Sequence, residues 1–148
     1  MSERVTILLV EDNDGDAKLV KEGFQRLSRQ VRIVESGEEA RAFLEQCGSS
    51  DDFPEPGLIL IDLGLPGMSG HSLIKWIRGQ PRLRPIPVVV LTASGKPTDS
   101  LTSYELGANA HIVKPFQLDA LVELVNLLDR FWVELVNHQR LGSPGGSS

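Results

Sequence analysis

Residues 58–70 read LILIDLGLPGMSG. Four apolar side chains follow one another without a polar interruption, Asp62 stops them, and Gly64, Pro66, Gly67 and Gly70 punctuate what comes next. An unbroken apolar run, as opposed to an alternating one, is the pattern of a strand buried on both faces, as in a parallel sheet. The Gly/Pro spacing marks a loop. The same design recurs on either side. Residues 5–10 (VTILLV) end at Glu11, Asp12, Asn13 and Asp14. Residues 31–34 (VRIV) make a second short strand. Residues 86–91 (IPVVVL) end at Thr92, Ala93 and Ser94, and residues 110–113 (AHIV) end at Lys114 and Pro115.

Helical spacing fills the gaps. Leu19, Val20, Gly23, Phe24 and Leu27 predict a first helix; Ala40, Phe43 and Leu44 a second, with Ser36 as N-cap and Glu39 in capping-box position. Leu73, Ile74 and Ile77 predict a third, and residues 98–106 a weak fourth closed by a left-handed Gly107. A long last helix runs from Leu118 to about Val136. Five strand–helix alternations imply an α/β fold, a doubly wound (βα)5 unit with a five-stranded parallel sheet. Right-handed crossovers put every strand's C-terminus on one edge, where such sheets bind ligands.

Composition narrows the function classes. At 148 residues the chain is sized for a single domain. Its formal net charge of -5 argues against a nucleic-acid binder, which needs a basic face, and against docking on anionic membranes. The single cysteine, Cys47, cannot form an internal disulfide, and no apolar run approaches the roughly 20 residues of a membrane span. A cytoplasmic location is expected.

The polar residues that end the strands come to one rim: Glu11 and Asp12 after the first strand, Asp62 after the third, Thr92 after the fourth, Lys114 after the fifth. Carboxylates brought together repel unless a cation intervenes. Hard oxygen ligands with room for water suit Mg²⁺ (or Mn²⁺). A metal held by Asp12 and Asp62 leaves one Asp62 oxygen free to attack phosphorus. Transfer through a loose transition state needs alignment and charge, which Mg²⁺, the Lys114 ammonium and the Thr92 hydroxyl supply.

Residues 7–13 (ILLVEDN), 58–70, 88–94 (VVVLTAS) and 107–116 (GANAHIVKPF) resemble, in order and each at a strand end, the receiver domains of two-component response regulators. The resemblance implies a flavodoxin-like sheet of order 2-1-3-4-5 and a phosphoacceptor switch instead of an enzyme. Asp62 then matches the phosphoacceptor. Asp12 is a direct metal ligand, Glu11 acts through water, and the Gly64 carbonyl is a third protein ligand. Thr92 is the switch hydroxyl, small Ala93 leaves room for the donor, and Lys114 binds phosphate with a cis bond to Pro115. His111 stands where the family most often has Tyr or Phe; it is expected to report the switch while adding a group that titrates near physiological pH. The implied partner is a sensor histidine kinase or a histidine phosphotransfer protein.

Blander readings stand beside these. Acids at strand ends are often solvated loop residues, threonine commonly caps helices, and His111 could be a half-exposed strand residue. His71 and His138 lack metal-ligand spacing and read as surface residues. A haloacid dehalogenase-type phosphatase would want a second acid where Gly64 stands. A flavodoxin-type flavin module would want a phosphate loop where Glu11 to Asp14 would repel one. A scaffold that no longer cycles phosphate remains open.

The last helix carries two apolar stripes. Leu118, Leu121, Val122, Val125, Leu128 and Trp132 suit the sheet; Leu124, Leu127, Phe131, Leu135 and Val136 make the other. The Phe131-Trp132 end resembles single-domain regulators paired with bacterial phytochromes, so a bacteriophytochrome kinase is an expected partner. A homodimer built on Leu124, Leu127, Phe131, Trp132 and Leu135 is expected too, against the alternative that the helix packs on its own domain. The receiver is drawn at residues 1–140. Residues 141–148 (LGSPGGSS), with nothing to bury, are expected to form a disordered tail.

Overall fold

The computed structural model describes residues 5–50, 52–115 and 117–133. Strands and helices alternate: β1 (Thr6–Val10), α1 (Asp14–Arg26), β2 (Gln30–Val34), α2 (Gly37–Gln46), β3 (Leu58–Ile61), α3 (Gly70–Arg78), β4 (Val88–Thr92), α4 (Pro97–Glu105), β5 (Ala110–Val113) and α5 (Leu118–Leu128). A 3₁₀ turn, Pro81–Leu83, leads into β4. All five strands pair in parallel, in the order β2-β1-β3-β4-β5.

The unbroken apolar runs are explained by a core on each face. Strand side chains alternate sides, so Leu8, Val10, Ile59, Ile61, Val88 and Val90 meet α2 and α3 through Ala40, Phe43, Leu44, Leu73, Ile74 and Ile77. Ile7, Leu9, Leu58, Leu60, Val89 and Leu91 meet α1 and α5 through Val20, Phe24, Leu121, Val125 and Leu128. Each fully buried side chain of this size contributes about 1.5–3 kcal/mol. Of α4, only Ser103 is buried.

Local signals explain the helix ends. The Ser36 hydroxyl accepts from Glu39 N–H at 3.1 Å, and the Glu39 carboxylate reaches past the N-cap to accept from Glu35 N–H at 3.2 Å. Gly107 takes φ +109°, the left-handed conformation expected after α4.

Residues 129–133 depart from the expected single long α-helix. After Leu128 the backbone widens into one π-helical turn, Asp129–Val133. There the buried Asp129 carboxylate accepts from Arg29 Nε at 2.7 Å and Nη2 at 3.2 Å. The two stripes divide differently from expectation. Leu124 and Trp132 pack, half-buried, against the α1/α5-side core, Trp132 as expected of the sheet-facing stripe and Leu124 from the other stripe. Leu118, at the first turn, is exposed instead of facing the sheet, as are Leu127 and Phe131. Leu135, Val136 and the 141–148 tail lie outside the described residues.

Candidate functional site

Register brings the strand-end residues together. Val10 pairs with Ile61, so Glu11 and Asp62 leave neighbouring strands side by side, and Asp62 N–H donates to the Val10 carbonyl at 3.0 Å. Thr92 pairs with Val113 across β4 and β5, and Lys114 N–H donates to the Thr92 carbonyl at 2.7 Å. Strand pairing thus gathers residues from positions 11 to 114 on one rim.

Glu11 is buried, Asp62 half-buried and Asp12 exposed, and one carboxylate oxygen of each lies within 4.8 Å of the others. The donor set is all hard oxygen, with Asp12 open to solvent. That suits a small divalent cation that keeps several waters, and the oxygens are close enough for one ion to draw them together. Asn13 N–H donates to Glu11 at 3.2 Å, and Gly64 N–H to Asp62 Oδ1 at 3.3 Å.

The Lys114 ammonium lies among three acids: Glu11 at 2.5 Å, Asp16 at 3.0 Å and Asp62 at 3.5 Å. Burial alone would lower Lys114, but Glu11 and Asp16 reverse that and hold it above the ordinary lysine value. Burial pushes the Glu11 carboxyl up to about 7; Lys114 pulls it down, and the Asp62 charge adds to the rise. Asp62 goes the other way. Burial would raise it, yet the Thr92 hydroxyl, the Lys114 charge, Glu11 and the Gly64 N–H together hold it below the ordinary carboxylate value. The arrangement keeps an ionised oxygen nucleophile beside a fixed cation and a hydroxyl donor.

A pH dependence follows for the metal-free chain. A carboxyl raised from its ordinary 4.5 to about 7 favours the protonated form in the fold. Its contribution is complete below pH 4.5 and is lost as pH rises through about 7. Between pH 5.5 and 8, in a metal chelator, the wild type is expected to lose on the order of 2 kcal/mol of this contribution. Glu11→Gln should lack that component. Excess Mg²⁺ should stabilise the wild type more at pH 8 than at pH 5.5, because metal and proton compete. Urea midpoints at the two pH values decide it; equal slopes in wild type and Glu11→Gln would overturn it.

The remaining expected residues fall as follows. Ala93 is exposed beside Thr92. No peptide bond among the described residues is cis, so the Lys114–Pro115 bond is trans, correcting the expected cis bond. Trans is the lower-energy form of an X–Pro bond by about 0.5–1 kcal/mol, and Lys114 N–H keeps its bond to Thr92 in this form. His111 is half-buried, its Nδ1 2.9 Å from the Ser103 hydroxyl. His71, expected at the surface, is also half-buried, with Nε2 2.9 Å from the same hydroxyl. Ser103 Oγ further donates to the Asp99 carbonyl at 2.9 Å. One buried hydroxyl therefore joins α3, α4 and β5. Asp16 and Ser103 went unnoticed in the sequence. Asp16 lies three residues after Asn13, whose side chain accepts from Asp16 N–H at 2.9 Å, so it reads as an ordinary first-turn acid. Ser103 sits in a helix with almost no apolar face.

Comparison with known proteins points one way. The family model described as the response regulator receiver domain matches residues 7–126. Response regulator Rcp1 of a Synechocystis species is 40% identical over 132 residues, 88% of this chain and 90% of Rcp1. The solved Mn²⁺-bound form of Rcp1 superposes with a TM-score of 0.79 at 39% identity, covering 88% of this chain and 95% of that one. The phosphorylated cyanobacterial phytochrome response regulator RcpA gives 0.83 at 36% identity, covering 90% and 96%. The bacteriophytochrome response regulator RtBRR gives 0.69 at 36% identity, covering 88% and 81%.

Proposed function

The chain belongs to the response regulator receiver domain family, and from that premise we propose that it is a single-domain regulator switched by phosphorylation of Asp62. The observation that carries the reading is the convergence on Asp62: the Lys114 ammonium at 3.5 Å, the Thr92 hydroxyl, and the oxygens of Glu11 and Asp12 within 4.8 Å.

In the proposed reaction one Asp62 oxygen forms a bond to phosphorus as the donor's bond to phosphorus breaks. With an acyl phosphate the electron pair departs on the donor's carboxylate, leaving an aspartyl phosphate. Mg²⁺ or Mn²⁺, held by Asp12, Asp62, Glu11 through water and the Gly64 carbonyl, would supply charge neutralisation at the phosphoryl oxygens. Rcp1 binds Mn²⁺ in its solved form, and the acid cluster here has the matching chemistry. Lys114 takes a second phosphoryl oxygen and Thr92 a third. The chain thereby assists its own phosphorylation and dephosphorylation without acting on a separate substrate.

The partner in this reading is a sensor histidine kinase, specifically a bacteriophytochrome, or a histidine phosphotransfer protein. RcpA and RtBRR, named for phytochrome signalling, support it. The signal leaves by protein contact, with residues 1–140 as the receiver; this chain spans 90% of Rcp1 and 96% of RcpA. Leu127 and Phe131, on α5 and the turn after it, are the most exposed described residues of the proposed homodimer surface, beside half-buried Leu124 and Trp132. No helix among the described residues is long and apolar enough to cross a membrane.

The test is incubation with a small acyl phosphate, with and without Mg²⁺, followed by intact mass. One phosphoryl adduct that requires Mg²⁺ is the expected result; a folded protein that takes none overturns the reading.

His111 is the proposed reporter of the switch. Its contact with Ser103 ties β5 to α4 and depends on which ring nitrogens carry protons. Phosphorylation is expected to move the α4 amide resonances in the wild type and to move them much less in His111→Ala, which lacks the contact with Ser103. Equal movement in both would remove His111 from the switch.

A further inference from the structure

We propose that Asp16 is a positioning residue of the phosphoryl-transfer site: in the resting chain it holds the Lys114 ammonium on the α1 side, and an incoming phosphoryl group must win the lysine from it. This rests on the function proposed above.

The geometry carries the argument. A lysine ammonium has three N–H donors and no more. Here three carboxylates take them, Glu11 at 2.5 Å, Asp16 at 3.0 Å and Asp62 at 3.5 Å. Asp62 is the most distant of the three, so the lysine's resting position favours the other two. Glu11 is almost closed to solvent, with a side-chain exposure of 4%, and sits among the acids a metal would gather. Asp16 is different. It lies outside that cluster, on the first turn of α1, and its side chain is 40% exposed. Its bond to Lys114 is therefore screened and easier to give up than a buried one. A phosphoryl group on Asp62 brings two negative charges and three strong acceptors. The partner it displaces is the most solvated of the three. Asp16 thus sets how much of the lysine is already committed when the donor arrives, and its own negative charge repels the anionic donor.

The sign is fixed by this picture. Removing the Asp16 charge releases the lysine, so phosphorylation should speed up. We expect Asp16→Asn and Asp16→Ala, with a small acyl phosphate and Mg²⁺, to raise the phosphorylation rate constant at low donor by roughly three- to tenfold. Most of the gain should lie in donor half-saturation, because charge repulsion acts on the encounter, and it should shrink as salt rises. Asp16→Glu, which restores the charge, should return towards the wild-type rate. A residue that only caps α1 would lower the melting temperature and leave the rate untouched; that outcome overturns the proposal. A slower rate in Asp16→Asn also overturns it, since it would mean that Asp16 aligns the lysine for reaction and does not compete for it.

A second measurement needs no phosphate. Urea unfolding of Asp16→Asn, Lys114→Met and the double variant, in chelator, reads the coupling of the pair. Additive effects mean that Asp16 does not hold Lys114, and the proposal fails. Coupled effects in a wild type that takes no phosphoryl group would sink the parent function and leave the lysine-holding contact standing.

Discussion

Asp62→Asn takes up no phosphoryl group under conditions where the wild type takes one, an expected loss of about 10³-fold or more in adduct formation. The substitution keeps the size of the side chain and an oxygen for the Thr92 hydroxyl and the Gly64 N–H that face this position. What it removes is the ionised oxygen that attacks phosphorus and one metal-binding charge. It also removes the charge that helps push Glu11 up to about 7. Because the fold favours the ionised Asp62, the variant should lose some stability in chelator at neutral pH yet stay folded, and the urea titration separates lost chemistry from lost fold. Intact mass after incubation with an acyl phosphate and Mg²⁺, beside a urea titration, makes both measurements. An adduct that persists on a folded Asp62→Asn would move the nucleophile elsewhere on the rim.

Gly70→Ala should cost about 3 kcal/mol, the upper end of overpacking. The melting temperature should drop by roughly 10 °C for a domain this size. Gly70 is buried at the start of α3 without a left-handed φ, so the demand for glycine is one of space. A Cβ there would stand 2.5 Å from the Asp62 carbonyl oxygen and 2.9 Å from the Leu63 Cα. Both are backbone atoms that cannot swing aside, and both belong to the loop carrying the proposed phosphoacceptor. Stability and phosphorylation rate should fall together. Gly64→Ala, six residues earlier in the same loop, is the control. No heavy atom lies within 4 Å of its Cβ position, so its stability should change by no more than about 0.5 kcal/mol. If thermal unfolding shows the two variants equally stable, the steric account is wrong.

The sheet was readable because burial on both faces leaves a mark that few other structures leave. Runs such as 58–61 tolerate no polar residue, and the first polar residue after each run falls at the rim. Strand pairing then places Asp62 beside Glu11 with no further information. The last helix was harder. Periodicity shows that two apolar stripes exist but does not say how wide a face the domain covers, and Leu124, from the second stripe, packs half-buried on the core. The π-helical turn begins at Asp129, whose partner Arg29 lies a hundred residues away in the chain. Asp16 was hidden for the same reason, since its contact with Lys114 spans 98 positions. The trans bond before Pro115 was not legible either, because the chemistry of an X–Pro pair permits both forms.

Eight of the nine residues of α4 contribute nothing to either core, and the exception, Ser103, is a hydroxyl. The other helices are fastened by many interchangeable apolar contacts, which yield gradually. This one is fastened by a polar knot in which the Ser103 hydroxyl donates to the Asp99 carbonyl and meets one ring nitrogen each of His71 and His111. With its one proton on that carbonyl, the hydroxyl is satisfied when both rings present N–H to its lone pairs, and it loses a partner when either ring presents a bare nitrogen. Local opening of α4 then sits near the low end of the protein's free-energy ladder, far below global unfolding. A modest push from the rim can release this segment while the double-sided sheet remains closed.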